Sequence, residues 1–265
     1  MREPIALKPM GVTFIAFGDE ADLLASHSVC YSRQHTDLPF QVITNTPENR
    51  RHAKWKEVSD VHFTYIAESI RFNRTVKCQL PTYTIFEKCL YCDIDAVIQN
   101  PGLDKALADF DGDLMLNYYD TYTADHILGI YYRAHKQFNC TLPLDVYNGA
   151  VFAFNRATAP AFFNMWFANY VAFGKKRDMP PLACTLQQYK QQGGVIQRFS
   201  SSVFAPNIFA IAVVDPNALI QHVVEDYDLI GTIGLPRMPR LQRYEGGTPP
   251  DDWKWVNSAE ANKER

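Results

Sequence analysis

No stretch of about eighteen consecutive apolar residues occurs anywhere in these 265 positions, so no membrane-spanning helix is expected. The start, Met1-Arg2-Glu3-Pro4-Ile5-Ala6-Leu7-Lys8-Pro9, lacks the apolar core of a signal peptide, and a cytoplasmic location is the expectation. Cysteine is sparse, with six residues at 30, 78, 89, 92, 140 and 184, each inside an apolar or helical-looking segment. Cys89 and Cys92 form a C-x-x-C, but no second pair completes a zinc spacing, and Cys92 interrupts a strand pattern instead of opening a helix. Reduced, buried thiols fit this usage. Charge of one sign is lacking too: the net value of −3 argues against a polyanion covering the whole surface and leaves room for a local basic patch.

What is present is a large apolar reserve, 47% of residues with 13% aromatic, enough for one sizeable α/β domain. Val12 to Phe17 reads as a first strand ending at Gly18-Asp19, and Glu20 to Gln34 carries a helical apolar period. Phe40 to Thr44 and Val61 to Ile66 read as further strands, with a polar loop continuing to Asn73. A helix is predicted from Lys77 to Phe86, strands at Leu114–Asn117 and Gly149–Asn155, and helices at Ala157–Phe173 and Asp178–Gln192. Gly193-Gly194 would end the last of these. This alternation predicts an α/β domain with a central, mainly parallel sheet flanked by crossover helices. No internal repeat or interdomain linker is evident. Residues 1–244 are therefore read as one domain, and the polar stretch 245–265 as a tail or a strap laid over it.

The most informative stretch is Cys89-Leu90-Tyr91-Cys92-Asp93-Ile94-Asp95-Ala96-Val97-Ile98, where two carboxylates one residue apart end an apolar run. Such a run reads as a buried strand, and open α/β folds place ligands at its carboxyl end. If the backbone stays extended, Asp93 and Asp95 share a face, because side chains alternate along a strand. Carboxylates so close repel unless a cation lies between them, and hard oxygen donors suit Mg²⁺ or Mn²⁺. The plainer alternative is a strand-end turn with two solvated aspartates.

Four blocks in this order resemble nucleotide-sugar glycosyltransferases of the GT-A fold, in particular the retaining, glycogenin-like family 8. They are Val12–Asp19, the run from Lys77 to Asp95, Tyr147-Asn148-Gly149-Ala150-Val151-Phe152-Ala153-Phe154-Asn155, and Asp178-Met179-Pro180-Pro181-Leu182. His222 is a weaker fifth match, where the family supplies a third metal ligand. The resemblance implies a GT-A-like domain, a nucleoside-diphosphate sugar donor (a UDP-sugar) and a divalent cation, Mn²⁺ or Mg²⁺, on Asp93, Asp95 and His222. It implies that Phe17 and Asp19 border the base and ribose, with Asp93 also reaching the ribose. Asp178 would lie beneath the reacting carbon, Asn148 and Asp113 would meet sugar hydroxyls, and Lys77 with Arg74 would touch the diphosphate or sugar. Two departures stand out. Met179 replaces the usual amide, and Val223-Val224-Glu225-Asp226 follows His222 in place of the Gly and Lys-Pro-Trp that help hold the diphosphate.

Each residue has a plainer reading beside this one. Asp178 is also a favoured helix N-cap, Asp113 and Asp19 are also turn residues, and Gln187 and Gln188 lie well inside a helix. The tyrosine-rich segments Asn117–Tyr122 and Tyr131-Tyr132-Arg133 either border the acceptor or simply pack. A glycan is the leading acceptor class. A nucleic-acid base is the second, on the strength of Lys175-Lys176-Arg177 and of Arg237, Arg240 and Arg243. A non-catalytic nucleotide or glycan binder of the same fold is the alternative from another class. Nucleotidyl transfer is disfavoured because no Gly-rich, Lys/Arg-bearing loop follows the first strand.

Overall fold

A computed structural model describes residues 7–69, 72–175, 177–200 and 217–222, with the backbone of short strands at 204–205, 207–208, 211–212 and 255–256. In chain order the main elements are β1 (Lys8–Ala16), α1 (Asp19–Ser32), β2 (Phe40–Thr44), β3 (Val61–Tyr65), α2 (Asn73–Lys77), α3 (Leu80–Tyr83) and β4 (Phe86–Cys92). There follow β5 (Ala96–Ile98), α4 (Leu103–Ala108), β6 (Leu114–Tyr122), β7 (Ile127–Leu128), α5 (Gly129–Gln137) and β8 (Leu144–Asn155). The series closes with α6 (Pro160–Ala172), α7 (Met179–Gln191) and β9 (Ile196–Arg198).

Seven strands form the central sheet in the order β3-β2-β1-β4-β8-β6-β9. Strands β3, β2, β1 and β4 are parallel, β8 runs against both β4 and β6, and β9 is parallel to β6. The expected mainly parallel sheet is therefore present. Its inner strands β2, β1, β4 and β8 are largely buried on both faces because helices cover both, while the edge strands β3 and β9 are only partly buried. In β4, Cys89 and Tyr91 enter the core beneath α6 and α7, while Leu90 and Cys92 enter the core beneath α1 and α4. Val151 and Ala153 against Phe152 and Phe154 repeat that alternation in β8. On α6, Phe162, Trp166 and Tyr170 recur at a spacing of four and present one buried face to the sheet.

Two elements depart from expectation. Of the helix predicted from Lys77 to Phe86, only Leu80–Tyr83 forms a helix of its own, α3; Lys77 is the last residue of α2, Cys78-Gln79 separates the two, and Phe86 already opens β4. Pro81 has no N–H to continue the first helix and is accommodated in the first turn of the second. The strand predicted through Asp95 stops at Cys92. The Ala96 amide donates to the Asp93 carbonyl at 2.9 Å, closing a turn, and β5 then leaves the main sheet to pair with Ile220–His222. Strands β6 and β8 both begin or run beyond their predicted bounds, and α4, α5 and β9 lie where the sequence pattern predicts no element. At the other end of the chain, Trp255–Val256 pairs antiparallel with β7.

Candidate functional site

The Asp93–Asp95 turn stands at the carboxyl end of β4, between β1 and β8. It is braced from two sides. The Asp93 amide donates to the Ala150 carbonyl at 2.7 Å, and the Ser28 hydroxyl of α1 donates to the Ile94 carbonyl at 2.5 Å. Ser32, one helical turn on, accepts from the Ile98 amide at 2.9 Å. Buried serines on α1 thus fix the turn to a helix as well as to the sheet. Because Asp93–Asp95 is a turn, the strand alternation expected for this pair does not apply to Asp95. It does hold from Tyr91 to Asp93, and the Tyr91 hydroxyl donates to Asp93 Oδ1.

Lys77, at the end of α2, ties this turn to the start of α7. Its ammonium lies 3.1 Å from Asp93 Oδ1 and 3.4 Å from Asp178 Oδ2, with a side chain only 8% exposed. Arg74, one turn earlier, reaches the other oxygen of Asp178 at 3.5 Å. Asp178 occupies the N-cap position of α7, yet its side chain makes no capping bond. Its carboxylate turns to the two cations instead, and the Trp166 indole holds its backbone by donating to the Asp178 carbonyl at 3.2 Å. Gly149 forms the floor: a Cβ there would lie 3.3 Å from Leu182, 3.5 Å from Met179 and 4.0 Å from the Lys77 amine. Any larger side chain would fill the space where β8, α2 and α7 converge.

The electrostatics follow from burial and pairing. Burial alone would raise the Asp178 carboxyl, but the charges of Lys77 and Arg74 outweigh it and hold it below the usual carboxylate range. Burial opposes the Lys77 charge, and Asp93 with Asp178 outweighs that in turn, leaving the amine above the ordinary lysine value. Tyr91 is pushed well up, first by burial and then by Asp93, so it remains a hydrogen-bond donor. A carboxylate and an ammonium are thus kept ionised where water is largely excluded.

The other predicted residues separate into those brought to this place and those left apart. Asn148 lies opposite Asn117 across β8 and β6, both buried, and its Oδ1 accepts from the Ala150 amide at 2.8 Å. The backbone of His222 pairs with Ala96, immediately after Asp95, which sets their Cα atoms roughly 5 Å apart. The His222 side chain lies outside the described residues. Phe17 is buried at the end of β1, and Gly18 follows with φ 96°, a conformation glycine alone adopts freely. Asn45 accepts from the Gly18 amide at 2.7 Å, and Asp19 pairs with Arg50 at the surface.

Asp113 does not join them. It precedes β6 at the level of the start of β4, roughly 16 Å of strand from Asp93. Its Oδ2 accepts from the Tyr189 hydroxyl at 2.9 Å and the Val195 amide at 2.8 Å, fastening the turn after α7. Because β6 runs parallel to β4, Asp113, just before β6, stands at the end of the sheet opposite the Asp93–Asp95 turn, and its bonds are those of the turn aspartate that the sequence also allows. Gln187 and Gln188 are spent on the Thr141 backbone and the Phe138 carbonyl. Tyr122 and Tyr131 are buried against each other at 5.0 Å, so they pack and do not form an exposed border. Tyr118 carries the Arg198 guanidinium 4.3 Å over its ring. Lys176, Arg237, Arg240 and Arg243 lie outside the described residues.

Of the residues at the site, Tyr91 is given no role by the sequence reading, and Asn117 enters it only as the first residue of the Asn117–Tyr122 segment. Tyr91 carries a signal as the residue two before Asp93 on an extended strand, and Asn117 as a polar break in the apolar run of β6.

For a cation, the residues present fit in type. Two carboxylates share one turn, and an imidazole-bearing residue adjoins it in backbone register, a mixed oxygen and nitrogen set that suits Mn²⁺. Among the described residues no three His, Cys, Asp or Glu side chains gather as a ready-made metal cluster.

Solved structures share this architecture. The chain has the GT-A fold. It is similar to the galactosyltransferase LgtC solved with donor and acceptor sugar analogues, at 16% identity and a TM-score of 0.54 over 74% of this chain and 75% of that one. An active-site mutant of LgtC matches at 15% and 0.56, covering 80% and 86%. Mouse xyloside xylosyltransferase 1 matches at 11% and 0.55, covering 81% and 97%. At these identities the likeness is one of fold. No family model matches the sequence, and no curated protein sequence does. No helix among the described residues is long and apolar enough to cross a membrane.

Proposed function

We propose that this chain is a cation-dependent glycosyltransferase that moves a sugar from a nucleoside-diphosphate donor, read as a UDP-sugar, to a glycan acceptor with retention of anomeric configuration. The observation that carries the reading is the convergence of Asp93, Lys77 and Asp178 at the carboxyl end of β4 on a GT-A fold. This is where an open α/β sheet receives its ligand.

The division of labour follows from the charges. A divalent cation held by Asp93, Asp95 and His222 would supply Lewis-acid neutralisation of the departing diphosphate. Phe17 and Asp19, at the end of β1, flank the base and ribose. The Tyr91 hydroxyl and the Lys77 ammonium orient Asp93 from one side, so its carboxylate meets the donor in a single pose. Lys77 presents its charge to the donor's anionic side. Asn148, with Oδ1 already committed to Ala150, offers its amide hydrogens to a sugar hydroxyl. Asp178 remains ionised through Lys77 and Arg74 and faces the carbon where positive charge develops as the bond to the diphosphate breaks.

Incubation with UDP-sugars and Mn²⁺, followed by NMR of the released or transferred sugar, tests this reading. A first-formed product with the donor's anomeric configuration is the expected result. Inversion would remove the retaining assignment, and no product from any donor would remove transfer itself.

A further inference from the structure

Where the edge strand β9 ends, two cations converge on one oxygen. The Arg198 guanidinium lies 3.3 Å, and the Lys190 ammonium 3.6 Å, from the same atom, Asp145 Oδ2. The other oxygen, Oδ1, accepts from the Thr121 hydroxyl at 2.8 Å. Charge-assisted bonds close at about 2.7–2.9 Å, so a single carboxylate oxygen at these longer distances leaves both cations only partly answered. Their own stretch of chain supplies no second anion: from Val146 to Arg198 the one acidic residue is Asp178, which pairs with Lys77 and Arg74. Asp111 and Asp113, acids near β9, are bonded instead to Gln197 and to Tyr189 with the Val195 amide.

The two cations are held by tyrosines. Arg198 stacks 4.3 Å over the Tyr118 ring, and Lys190 donates to the Tyr147 hydroxyl at 2.7 Å. The two rings meet edge to face at 6.0 Å, and the Tyr118 hydroxyl bonds to Thr121 at 2.6 Å. Stacking fixes the plane of a guanidinium and leaves its donor fork to an anion. Both cations also face solvent, with 53% of the Arg198 side chain and 39% of the Lys190 side chain exposed. The cluster adjoins the site already described. Tyr118 follows Asn117 and Tyr147 precedes Asn148, and these four residues pair across β6 and β8. Tyr147 is also only two residues, at most roughly 7 Å of chain, from Gly149. Gly149 lies against Met179 and Lys77.

We propose that Lys190 and Arg198 form a subsite for an acidic group, a carboxylate or a phosphate, on the acceptor glycan. This rests on the glycan-acceptor reading given above and narrows it to acidic glycans. Arg198 receives the oxyanion along its planar fork, and Lys190 adds a point charge beside it. Asp145 keeps the two cations together before an acceptor arrives and competes with the oxyanion when it does. A neutral glycan gains nothing from either cation's charge.

The test is saturation-transfer NMR titration of the full chain, without donor, using two matched pairs of probes. One pair is p-nitrophenyl β-glucuronide against p-nitrophenyl β-glucoside; the other is glucose-6-phosphate against glucose. In at least one pair the acidic member should bind about fivefold more tightly at low salt, with the preference shrinking as salt rises. The pair with the larger preference identifies the group as carboxylate or phosphate. Arg198→Gln and Lys190→Gln should each cut the preference about threefold and leave the neutral probe unaffected. Asp145→Asn should raise the preference about threefold, because it removes the competing charge. A cluster that merely fastens β9 and α7 to β8 would not move in that direction.

Equal affinities within both pairs overturn the proposal, as does a weakened preference in folded Asp145→Asn protein. A preference that survives Arg198→Gln and Lys190→Gln but disappears with saturating UDP places the anion at Lys77 and overturns it too. Each of these outcomes leaves the transferase reading standing, because that reading is decided by UDP release from the donor, in which the probes take no part.

Discussion

The Lys77 ammonium lies 3.1 Å from Asp93 Oδ1, a contact between the end of a five-residue helix and the first residue after a buried strand. The same ammonium also meets Asp178, so three distant parts of the chain are held by one buried charge. Removing one partner of a buried ionic cluster leaves the others uncompensated. Lys77→Met should therefore cost about 3 kcal/mol of stability in denaturant unfolding, and restoring the charge as Lys77→Arg should recover most of it.

The Asp178 carboxylate is held by Lys77 and Arg74 and is not used as a helix cap; in the proposed reaction it stabilises the positive charge that develops at the reacting carbon. Asp178→Asn should lower kcat by about a hundredfold while UDP affinity changes less than about threefold, the pattern of a group used in the transition state. Equal loss of UDP binding, measured by calorimetry, would reassign Asp178 to holding the donor or the fold.

Asp113 gives a pH prediction away from the site. Partial burial raises its carboxyl, but hydrogen bonds from Thr158, the Val195 amide and Tyr189 outweigh it, and its folded value lies below the ordinary carboxylate range. A lowered folded value contributes stability above the unfolded carboxylate pKa of about 3.9, and that stability is lost as pH falls through the folded value. Asp113→Asn should flatten this acid limb of thermal stability, while donor turnover stays within about twofold of wild type. A large loss of turnover with an unchanged acid limb would return Asp113 to the sugar.

Gly11 lies under the Phe86 ring, whose nearest atom would stand 2.3 Å from an added Cβ. Gly11→Ala should destabilise the fold by about 2 kcal/mol or more through overpacking, and Phe86→Leu in the same chain should recover part of the loss. Thermal unfolding of the three variants checks this.

Much of the frame is legible in the amino-acid sequence. The alternation of Leu90 and Cys92 against Cys89 and Tyr91, the glycine after β1 and the proline-led α6 each carry a local physical signature. The paired aspartates are legible as a motif, but their geometry is not. The turn at Asp93–Asp95 depends on a bond from Ala96 to the Asp93 carbonyl and on Ser28 of a remote helix. Pro81 announces the break between α2 and α3, and a continuous helical reading passes over it. The joining of Lys77 to Asp178 and the removal of Asp113 to the far end of the sheet arise from strand order and direction, which no local pattern encodes.

The most direct test of the account is release of UDP from UDP-sugars, followed with and without Mn²⁺ in wild-type protein and in Asp95→Asn. The account predicts release that requires Mn²⁺, stops on chelation, and falls at least about a hundredfold in a normally folded Asp95→Asn protein. Release that is indifferent to Mn²⁺ and to Asp95, or no release together with no Mn²⁺-dependent UDP binding, would contradict it.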